Sequence, residues 1–244
     1  MSANPARGAQ RGCVAILTAA GSGTRLGAEQ PKALVELRGE SLVVHAARRL
    51  ADSGCVERII VTHPEGEAER FAAILDSSRV PIELVPGGAT RQSSVAAALA
   101  RIDDDVDVVL VHDAARALAP PELVRRVYEA VRQGRRAVVP GLPVSDTIKR
   151  VAVDGAGEGP VVATVDRATL RAIQTPQGFD RALLARAHEA GAARAAEEGH
   201  AATDDAGLVE ALGEEVWVVT GKEEARKITV PADLLLAEAL LSRP

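Results

Sequence analysis

The sequence contains few aromatic residues and little cysteine. Phenylalanine, tryptophan and tyrosine make up 2% of its 244 residues, so the core has to consist of aliphatic side chains. No aromatic platform is available on which the bases of single-stranded nucleic acid could stack. The two cysteines, Cys13 and Cys55, lack the spacing of metal ligands. We expect buried or incidental thiols in a reducing compartment rather than a disulfide.

The chain also lacks an excess of positive charge and any long hydrophobic run. Its net charge is −5, which excludes a general electrostatic surface for nucleic acid, so an anionic ligand has to be bound by a local basic cluster. No apolar run approaches the roughly 20 residues of a membrane span, and residues 1–12 lack the hydrophobic stretch of a signal peptide. We expect a cytoplasmic protein without nucleic-acid or membrane partners, with a disordered tail at 1–12 and one domain over 13–244.

Lysine is scarce, and its rarity singles out two positions. Of 29 basic residues only four are lysine, so arginine is the default cation of this chain. Lys32 and Lys227 lie beside predicted strands, where a compact ammonium group can serve a purpose that a planar guanidinium cannot. Lys222, next to two glutamates, has the pattern of ordinary solvated surface.

Apolar runs alternate with helical patterns along most of the chain. Strands are predicted at 14–17, 58–62, 81–85, 106–111, 137–139 and 216–220, and helices at 41–51, 65–75, 93–100, 121–133, 181–196, 204–212 and 232–241. This order predicts βαβ units. Such units build a mostly parallel sheet that is covered by helices on both faces and binds ligands at the carboxyl ends of its strands.

Residues 145–167 interrupt this alternation. Two β runs, at 145–153 and 160–166, flank a glycine-rich turn and predict a hairpin arm. The arm has too few apolar residues to be stable alone, so it has to pack on the main sheet or on another subunit.

The segment from Ala19 to Lys32 follows the first predicted strand and has the composition of a polyphosphate-binding loop. Gly21 and Gly23 can turn backbone N–H groups toward an anion, and Arg25 and Lys32 supply positive charge. The lysine is too far from the first glycine for a P-loop, and no third glycine completes a dinucleotide fingerprint. For the glycines alone, a tight turn beside a solvated arginine is the better interpretation, but the Pro–Lys pair in the same loop favours a functional one.

Two further segments contain candidate ligand-binding residues. Asp113 follows a predicted strand and suits a divalent cation that bridges phosphates, although a helix N-cap is equally compatible with aspartate there. His112 is better explained as an interior histidine. The turn at Gly88, with Ser94 shortly after it, suits a nucleotide base or ribose, but equally a plain turn and helix cap.

The remaining polar candidates have weaker signals. Arg167 could bind a phosphate with its planar fork, but solvated surface is the better interpretation of an isolated arginine, and helix capping is favoured for Thr203. Taken together, two phosphate-type turns, a carboxylate and a separate basic cluster indicate that two anionic ligands meet, as in nucleotidyl transfer. An ionised acceptor phosphate is already a nucleophile, so this reaction requires alignment and charge stabilisation rather than a general base.

The order of short motifs resembles one family closely. The motifs A-A-G-x-G-x-R, P-K, G-G-x-x-R-x-x-S, V-H-D-A-A-R, V-x-D-T-I-K-R, T-V-D-R, T-P-Q-x-F, T-D-D-A and K-I-T-x-P-x-D-L occur in sequence from about residue 14 to residue 241. They resemble those of the 2-C-methyl-D-erythritol 4-phosphate cytidylyltransferases of the non-mevalonate isoprenoid pathway. The P-K loop is shared with nucleotidyltransferases generally, while T-V-D-R and T-P-Q narrow the assignment.

The resemblance implies a fold, a reaction and a set of roles. The fold would be a Rossmann-like, mostly parallel sheet sandwiched by helices, of the family A nucleotidyltransferase type, with a protruding hairpin arm. The enzyme would transfer CMP from CTP to the methylerythritol phosphate with Mg²⁺, or another divalent cation, as cofactor. It would act as a homodimer in which the arm embraces the partner, so that Arg167 would serve the neighbouring subunit's site.

The resemblance also implies which residues contact each ligand. CTP would lie over Ala19, Ala20, Gly21, Gly23 and Lys32, with Gly88 and Ser94 near cytosine and ribose, and Asp113 would hold the metal. Arg25, Lys32 and Lys227 would offset charge on the α-phosphate. The acceptor would be held by Arg116, Thr147, Arg167, Thr175 and Thr203.

Three departures from the family pattern concern packing and affinity rather than chemistry: Ala33 after P-K, Ala117 after D-A-A-R, and Ala225 with Arg226 before Lys227. Two other functions remain open at this stage. One is a cytidylyltransferase for ribitol phosphate or another polyol phosphate, which differs from the first choice in a few hydroxyl contacts. The other is a nucleotide-binding protein of the same fold without catalytic activity.

Overall fold

The computed structural model describes residues 12–21, 23, 26, 30–154, 157–194 and 202–242. Its strands are β1 (Cys13–Thr18), β2 (Glu36–Leu37), β3 (Glu40–Ser41), β4 (Arg58–His63), β5 (Ile82–Pro86), β6 (Val108–Asp113), β7 (Ala137–Pro143), β8 (Ile148–Val151), β9 (Val161–Val165), β10 (Arg171–Ile173), β11 (Gln177–Asp180) and β12 (Trp217–Thr220). Its α-helices are α1 (Leu42–Asp52), α2 (Ala68–Leu75), α3 (Arg91–Leu99), α4 (Pro121–Arg132), α5 (Arg181–Ala190), α6 (Asp205–Glu210) and α7 (Pro231–Leu241).

Eight strands form one mixed sheet in the order β10-β7-β11-β6-β1-β4-β5, with β12 paired to β7. The central strands β6, β1, β4 and β5 are parallel to one another, while β10 and β11 run antiparallel to their neighbours. The predicted α/β class with a mostly parallel sheet is therefore confirmed.

Helices cover both faces of the sheet because side chains alternate along each strand. On β1, Ala15 and Leu17 pack into a cluster with side chains of α1, α2 and α4. Val14 and Ile16 point the other way, into a cluster with α3, α5 and α6. With both faces buried, β1 is apolar from Cys13 to Leu17 and β6 from Val108 to Val111, which explains why they were predictable as short continuous apolar runs.

The register of the central strands places their carboxyl ends side by side. Thr18 at the end of β1 lies opposite Thr62 of β4 and opposite Asp113 at the end of β6. In open α/β sheets the ligand lies at this edge. The loops that leave β1, β5 and β6 therefore meet in one place.

The predicted hairpin arm is present as the antiparallel pair β8 and β9, which forms a sheet of its own. Its apolar side chains are largely uncovered within one chain, with Val153 63% exposed and Val162 61% exposed. The role of the arm in dimerisation stays a prediction.

Several boundaries differ from the sequence predictions. The helix predicted at 181–196 ends at Ala190, where Gly191 is the C-cap, and a short 3₁₀ turn follows at Ala192–Arg194. The strands β10 and β11 were not predicted at all. The predicted tail at 1–12 lies outside the described residues except for Gly12.

Candidate active site

A cleft of about 480 Å³ opens at the carboxyl edge of β1, β4 and β6. Its lining includes many of the residues that the sequence singled out for the nucleotide and for the chemistry: Ala19, Ala20, Gly21, Gly23, Lys32, Gly88, Ser94, Asp113 and Lys227. The fold thus brings together segments from the start, the middle and the end of the chain, as the sequence predicted.

The loop after β1 turns back on itself and delivers Lys32 to the cleft. The backbone N–H of Lys32 donates to the carbonyl of Gly21 at 3.2 Å. Gly23 has a φ of 77°, and a Cβ there would come within 2.9 Å of Lys32 Cβ. Glycine is therefore required at this position for both conformation and space. Arg25, predicted in the same loop, lies outside the described residues.

The turn after β5 forms the opposite side of the cleft. Ser94 is buried, and its hydroxyl accepts from the Gly88 N–H at 3.0 Å and donates to the Thr90 carbonyl at 2.9 Å. A Cβ on Gly87 would lie 2.4 Å from Ala20 Cβ, so the two loops are in close contact. Thr90 caps α3 through the Ser93 N–H. This turn therefore both lines the cleft and caps a helix.

Asp113 is a buried carboxylate with several cationic or hydroxyl donors. Oδ2 accepts from Lys227 Nζ at 2.8 Å, and Oδ1 accepts from Arg91 Nε at 3.1 Å and Thr18 Oγ1 at 3.2 Å. Burial alone would raise the pKa of Asp113, but the positive charges of Arg91 and Lys227 hold it well below its usual range. The alternative interpretation as a helix N-cap is wrong, because the side chain makes no capping hydrogen bond.

Lys227 reaches Asp113 from near the end of the chain. The next residue, Ile228, donates its N–H to the Ala115 carbonyl at 2.8 Å, which fixes this segment beside the loop that follows β6. The Lys227 side chain is 41% exposed and lines the cleft, so it is accessible to a ligand there. The side chain of Lys222, interpreted as surface, pairs with Glu122 at 3.7 Å.

Arg91 also lines the cleft, although the sequence did not single it out as a site residue. Its Nη1 donates to Asp205 Oδ2 at 2.7 Å, and Asp205 Oδ1 in turn pairs with His188 Nε2 at 2.9 Å. Arg91 stands in the G-G-x-x-R-x-x-S motif and Asp205 in T-D-D-A. Their presence in these motifs was the signal that could have singled out both residues.

The interior interpretation of His112 is confirmed, since this side chain is fully buried. Burial lowers the pKa of His112 to about 4, so the ring is neutral near pH 7. Its Nδ1 lies 2.9 Å from Thr175 Oγ1, and the same hydroxyl accepts from the Asp113 N–H at 3.1 Å. Thr175, predicted to bind the acceptor, is buried and uses its hydroxyl to position the backbone of Asp113.

The other residues predicted for the acceptor do not line this cleft within one chain. Arg116 donates to the carbonyls of Ala225 at 2.8 Å and Ile173 at 3.1 Å. Thr147 is exposed at the base of the arm, where exposed Arg167 hydrogen bonds to the nearby Ser145 carbonyl.

Thr203 is exposed next to α6. The favoured capping interpretation of Thr203 is wrong, because Asp204 caps α6 by accepting from the Gly207 N–H at 3.0 Å. The contact of Thr203 with the acceptor stays a prediction.

The geometry defines a class of protein. A mostly parallel α/β sheet presents a glycine-rich loop, two lysines and one buried carboxylate at its carboxyl edge, without a nucleophile–histidine pair in the cleft lining. This is the arrangement of an α/β nucleotidyltransferase. Residues 13–243 match the family model described as 2-C-methyl-D-erythritol 4-phosphate cytidylyltransferase, and the chain belongs to this family of enzymes.

Individual relatives agree with this assignment. A protein of that name from Saccharopolyspora erythraea is 51% identical over 232 residues, covering 94% of this chain and 99% of its own. The crystal structure of the cytidylyltransferase from Thermus thermophilus is 38% identical, with a TM-score of 0.72 and coverage of 93% of this chain and 97% of its own. The 4-diphosphocytidyl-2C-methyl-D-erythritol synthase structure from Anaerococcus prevotii is 30% identical, with a TM-score of 0.80 and coverage of 96% and 99%.

Membership of this family decides between the functions that the sequence left open. The chain is a cytidylyltransferase of the isoprenoid pathway that uses CTP and 2-C-methyl-D-erythritol 4-phosphate, rather than a silent nucleotide-binding protein or an enzyme for ribitol phosphate. None of the helices among the described residues combines the length and apolar character that crossing a membrane requires.

Proposed function

We propose that the cleft binds CTP with its phosphates against the loop from Ala19 to Gly23, between Lys32 and Lys227. The observation that supports this most directly is the 2.8 Å pair between Lys227 and buried Asp113 at the edge of the cleft. Lys227 is half exposed there, and Lys32 lines the same space. Gly88 and Ser94 on the opposite side leave room for the cytosine and ribose.

Asp113 suits a magnesium ion of the kind that enters with a nucleotide. No group of three or more histidine, cysteine, aspartate or glutamate side chains within the described residues could form a metal cage. Magnesium often binds through one or two carboxylates together with substrate phosphates and water, and the Asp113 carboxylate in the cleft fits that requirement. Bound there, Mg²⁺ would offset negative charge on the phosphates.

In the proposed transfer, a phosphate oxygen of the acceptor attacks the α-phosphorus of CTP. The new O–P bond forms as the bond to pyrophosphate breaks, and pyrophosphate leaves with the bonding electron pair. Arg25, Lys32 and Lys227 offset the charge that develops on the α-phosphate oxygens. Because the acceptor phosphate is already ionised, the protein contributes alignment and charge rather than a base.

We further propose that the acceptor is held by Arg116, Thr147, Arg167, Thr175 and Thr203 in a homodimer. Two features support this: Arg167 and Thr147 lie together by the arm, away from the cleft of their own chain, and the arm exposes apolar side chains such as Val153 and Val162. A partner subunit that covered the arm would bring Arg167 to a neighbouring cleft. The cytoplasmic location also stays a prediction.

Calorimetric titration of CTP in the presence of Mg²⁺ and without acceptor tests the nucleotide site. Lys227→Met should weaken CTP binding by about tenfold or more, since it removes a charge from the phosphate site. Lys222→Met makes the same change on the surface and should bind CTP as the unmodified protein does. Equal affinities in both variants would contradict the proposed position of the phosphates.

A further inference from the structure

Arg91 connects the cleft to a second carboxylate in the protein interior. Asp205, its partner on α6, is 1% exposed, whereas the Arg91 side chain is 23% exposed and lines the cleft. The same guanidinium therefore contacts Asp113 at the cleft and Asp205 behind it. A planar guanidinium is suited to bridge two carboxylates in this way, because its donors have fixed directions.

Asp205 is held in place from its other side by His188. Their 2.9 Å contact is buried, since His188 is 6% exposed. Burial alone would raise the pKa of Asp205, but Arg91 and His188 lower it, so the carboxylate is ionised near neutral pH. The interior thus contains a fixed negative charge, and Arg91 pairs with it at 2.7 Å.

The guanidinium is not saturated by these two carboxylates. Arg91 Nη2 is buried and has no hydrogen-bond acceptor within the described part of the chain. Buried donors in folded proteins are nearly always satisfied, and an exception calls for an explanation. An ion pair that served stability alone would be expected to use this donor as well.

We propose that Asp205 acts as a positioning residue through Arg91: it shares the charge of this guanidinium, so that Arg91 does not neutralise the Asp113 carboxylate. The inference rests on the proposed role of Asp113 as the ligand of a divalent cation. With Asp205 present, the charge of Arg91 is shared between two carboxylates. Without it, Arg91 and Lys227 both act on Asp113 alone, and a divalent cation binds there less tightly.

Manganese binding tests this without relying on turnover. Free Mn²⁺ is measured by electron paramagnetic resonance with CTP present and acceptor absent. Asp205→Asn should weaken Mn²⁺ binding by about tenfold, because it adds one net positive charge near Asp113. The double variant Arg91→Met with Asp205→Asn restores the local net charge and should bind Mn²⁺ within about threefold of the unmodified protein.

Two further variants separate charge from structure. Asp205→Glu keeps the negative charge and should also stay within about threefold in Mn²⁺ affinity, so it and the double variant provide the test if Asp205→Asn does not fold. Glu83→Gln breaks an ion pair with Arg58 at 3.1 Å outside the cleft lining and should leave Mn²⁺ affinity unchanged. Folding of each variant is checked by circular dichroism.

Unchanged Mn²⁺ affinity in folded Asp205→Asn would overturn the inference. The inference would also be overturned if the double variant or Asp205→Glu bound Mn²⁺ about tenfold more weakly than the unmodified protein. Asp113→Asn, measured in parallel, tests the underlying metal assignment: if it binds Mn²⁺ normally, Asp113 is not the ligand. If Asp113→Asn weakens Mn²⁺ binding and Asp205→Asn does not, the metal assignment stands and the role of Asp205 is refuted.

Discussion

At the scale of single residues, the cleft is organised around Asp113 and the cations beside it. Lys227 and Arg91 come from positions distant in the chain, and both hydrogen bond to this one carboxylate. A compact ammonium on a flexible stem can leave such a pair to follow a phosphate, whereas a guanidinium that bridges two carboxylates is fixed. The lysines are therefore suited to contacting the reacting phosphate, and Arg91 is suited to a fixed place beside Asp113.

Replacing Lys32 should affect turnover far more than folding. Lys32→Ala should lower kcat by at least about 10², the order expected for removal of one preorganised donor to a transition state. Lys32→Arg should also fail substantially, because a planar fork does not replace a point charge. Steady-state pyrophosphate release measures both, with Lys222→Ala as the control that should remain near normal. Near-normal turnover in Lys32→Ala would remove this residue from the chemistry.

Cys55 should react as a thiolate near neutral pH. A hydrogen bond with the Cys13 thiol, together with one from Ser53, lowers the pKa of Cys55 to about 7, while the pKa of buried Cys13 is raised. Alkylation of Cys55 should therefore accelerate as pH rises, with its midpoint near 7, and Cys13 should remain unmodified. Mass spectrometry of the labelled protein from pH 5 to 9 measures this. A midpoint near the ordinary cysteine value would contradict it.

Sequence reasoning identified the residues with local signals at this scale. Asp113 ends β6 and Lys32 closes the loop that follows β1, so the strand pattern placed both at one edge of the sheet, whereas Lys227 stood out through the scarcity of lysine. Arg91 and Asp205 pair across 114 positions of the chain, and His188 lies in an alanine- and arginine-rich helix with no pattern of its own. These side chains contact one another in the protein interior, and the linear sequence does not show which distant residues meet there.

At the scale of elements, predictability followed the strength of the apolar pattern. The central strands were predictable because both of their faces are buried. The strand β11 was missed because Gln177–Asp180 contains only one large apolar residue and a glycine. That glycine, Gly178, allows α4 to approach closely, since a Cβ there would lie 2.6 Å from Val127 Cγ1. The strand conformation of β11 is imposed by β6 and β7, which pair with it on its two sides.

The start of α7 should depend on the charge of Asp233. Its carboxylate accepts from the N–H groups of Thr229 at 2.8 Å and Val230 at 2.9 Å. Asp233→Ala should lower the free energy of unfolding at pH 7 by about 1 kcal/mol, the usual value of such a cap. Glu238→Ala, on the same helix, is the control and should have little effect.

The effect of Asp233 should also depend on pH in a defined direction. These hydrogen bonds lower the pKa of Asp233 in the folded state. A carboxyl group with a lowered folded pKa stabilises the protein above its unfolded pKa of about 3.9, and this stability is lost as pH falls through the folded value. Urea unfolding of both proteins from pH 7 to 3 should show a difference that is constant at first and then shrinks below about pH 4. A difference that grew on acidification would be inconsistent with the cap.

At the scale of the whole molecule, the role proposed for Arg167 needs a second chain. Arg167 and Thr147 lie at the arm rather than in the cleft of their own chain, and the arm is a separate two-stranded sheet with exposed valines. A sheet of this kind is marginal in isolation. The sequence predicted the arm itself but does not show what covers it, and a second copy of the chain is the cover that we propose.

Subunit complementation tests the exchange of Arg167 between clefts. Lys32→Ala and Arg167→Ala dimers, each inactive, are mixed, unfolded and refolded together. If Arg167 acts in the partner's site, half of the dimers are mixed and each has one complete site, so about a quarter of normal activity should return. If Arg167 acts in its own chain, every site in the mixture lacks one group and no activity should return.

Pyrophosphate release by the purified protein tests most directly whether this cleft transfers CMP from CTP to 2-C-methyl-D-erythritol 4-phosphate. The protein is supplied with CTP and Mg²⁺, and with either methylerythritol phosphate or ribitol 5-phosphate as acceptor. Rapid release with methylerythritol phosphate that is abolished in Lys227→Ala is the predicted result. Release with ribitol 5-phosphate alone, or CTP binding without turnover on either acceptor, would contradict the claim.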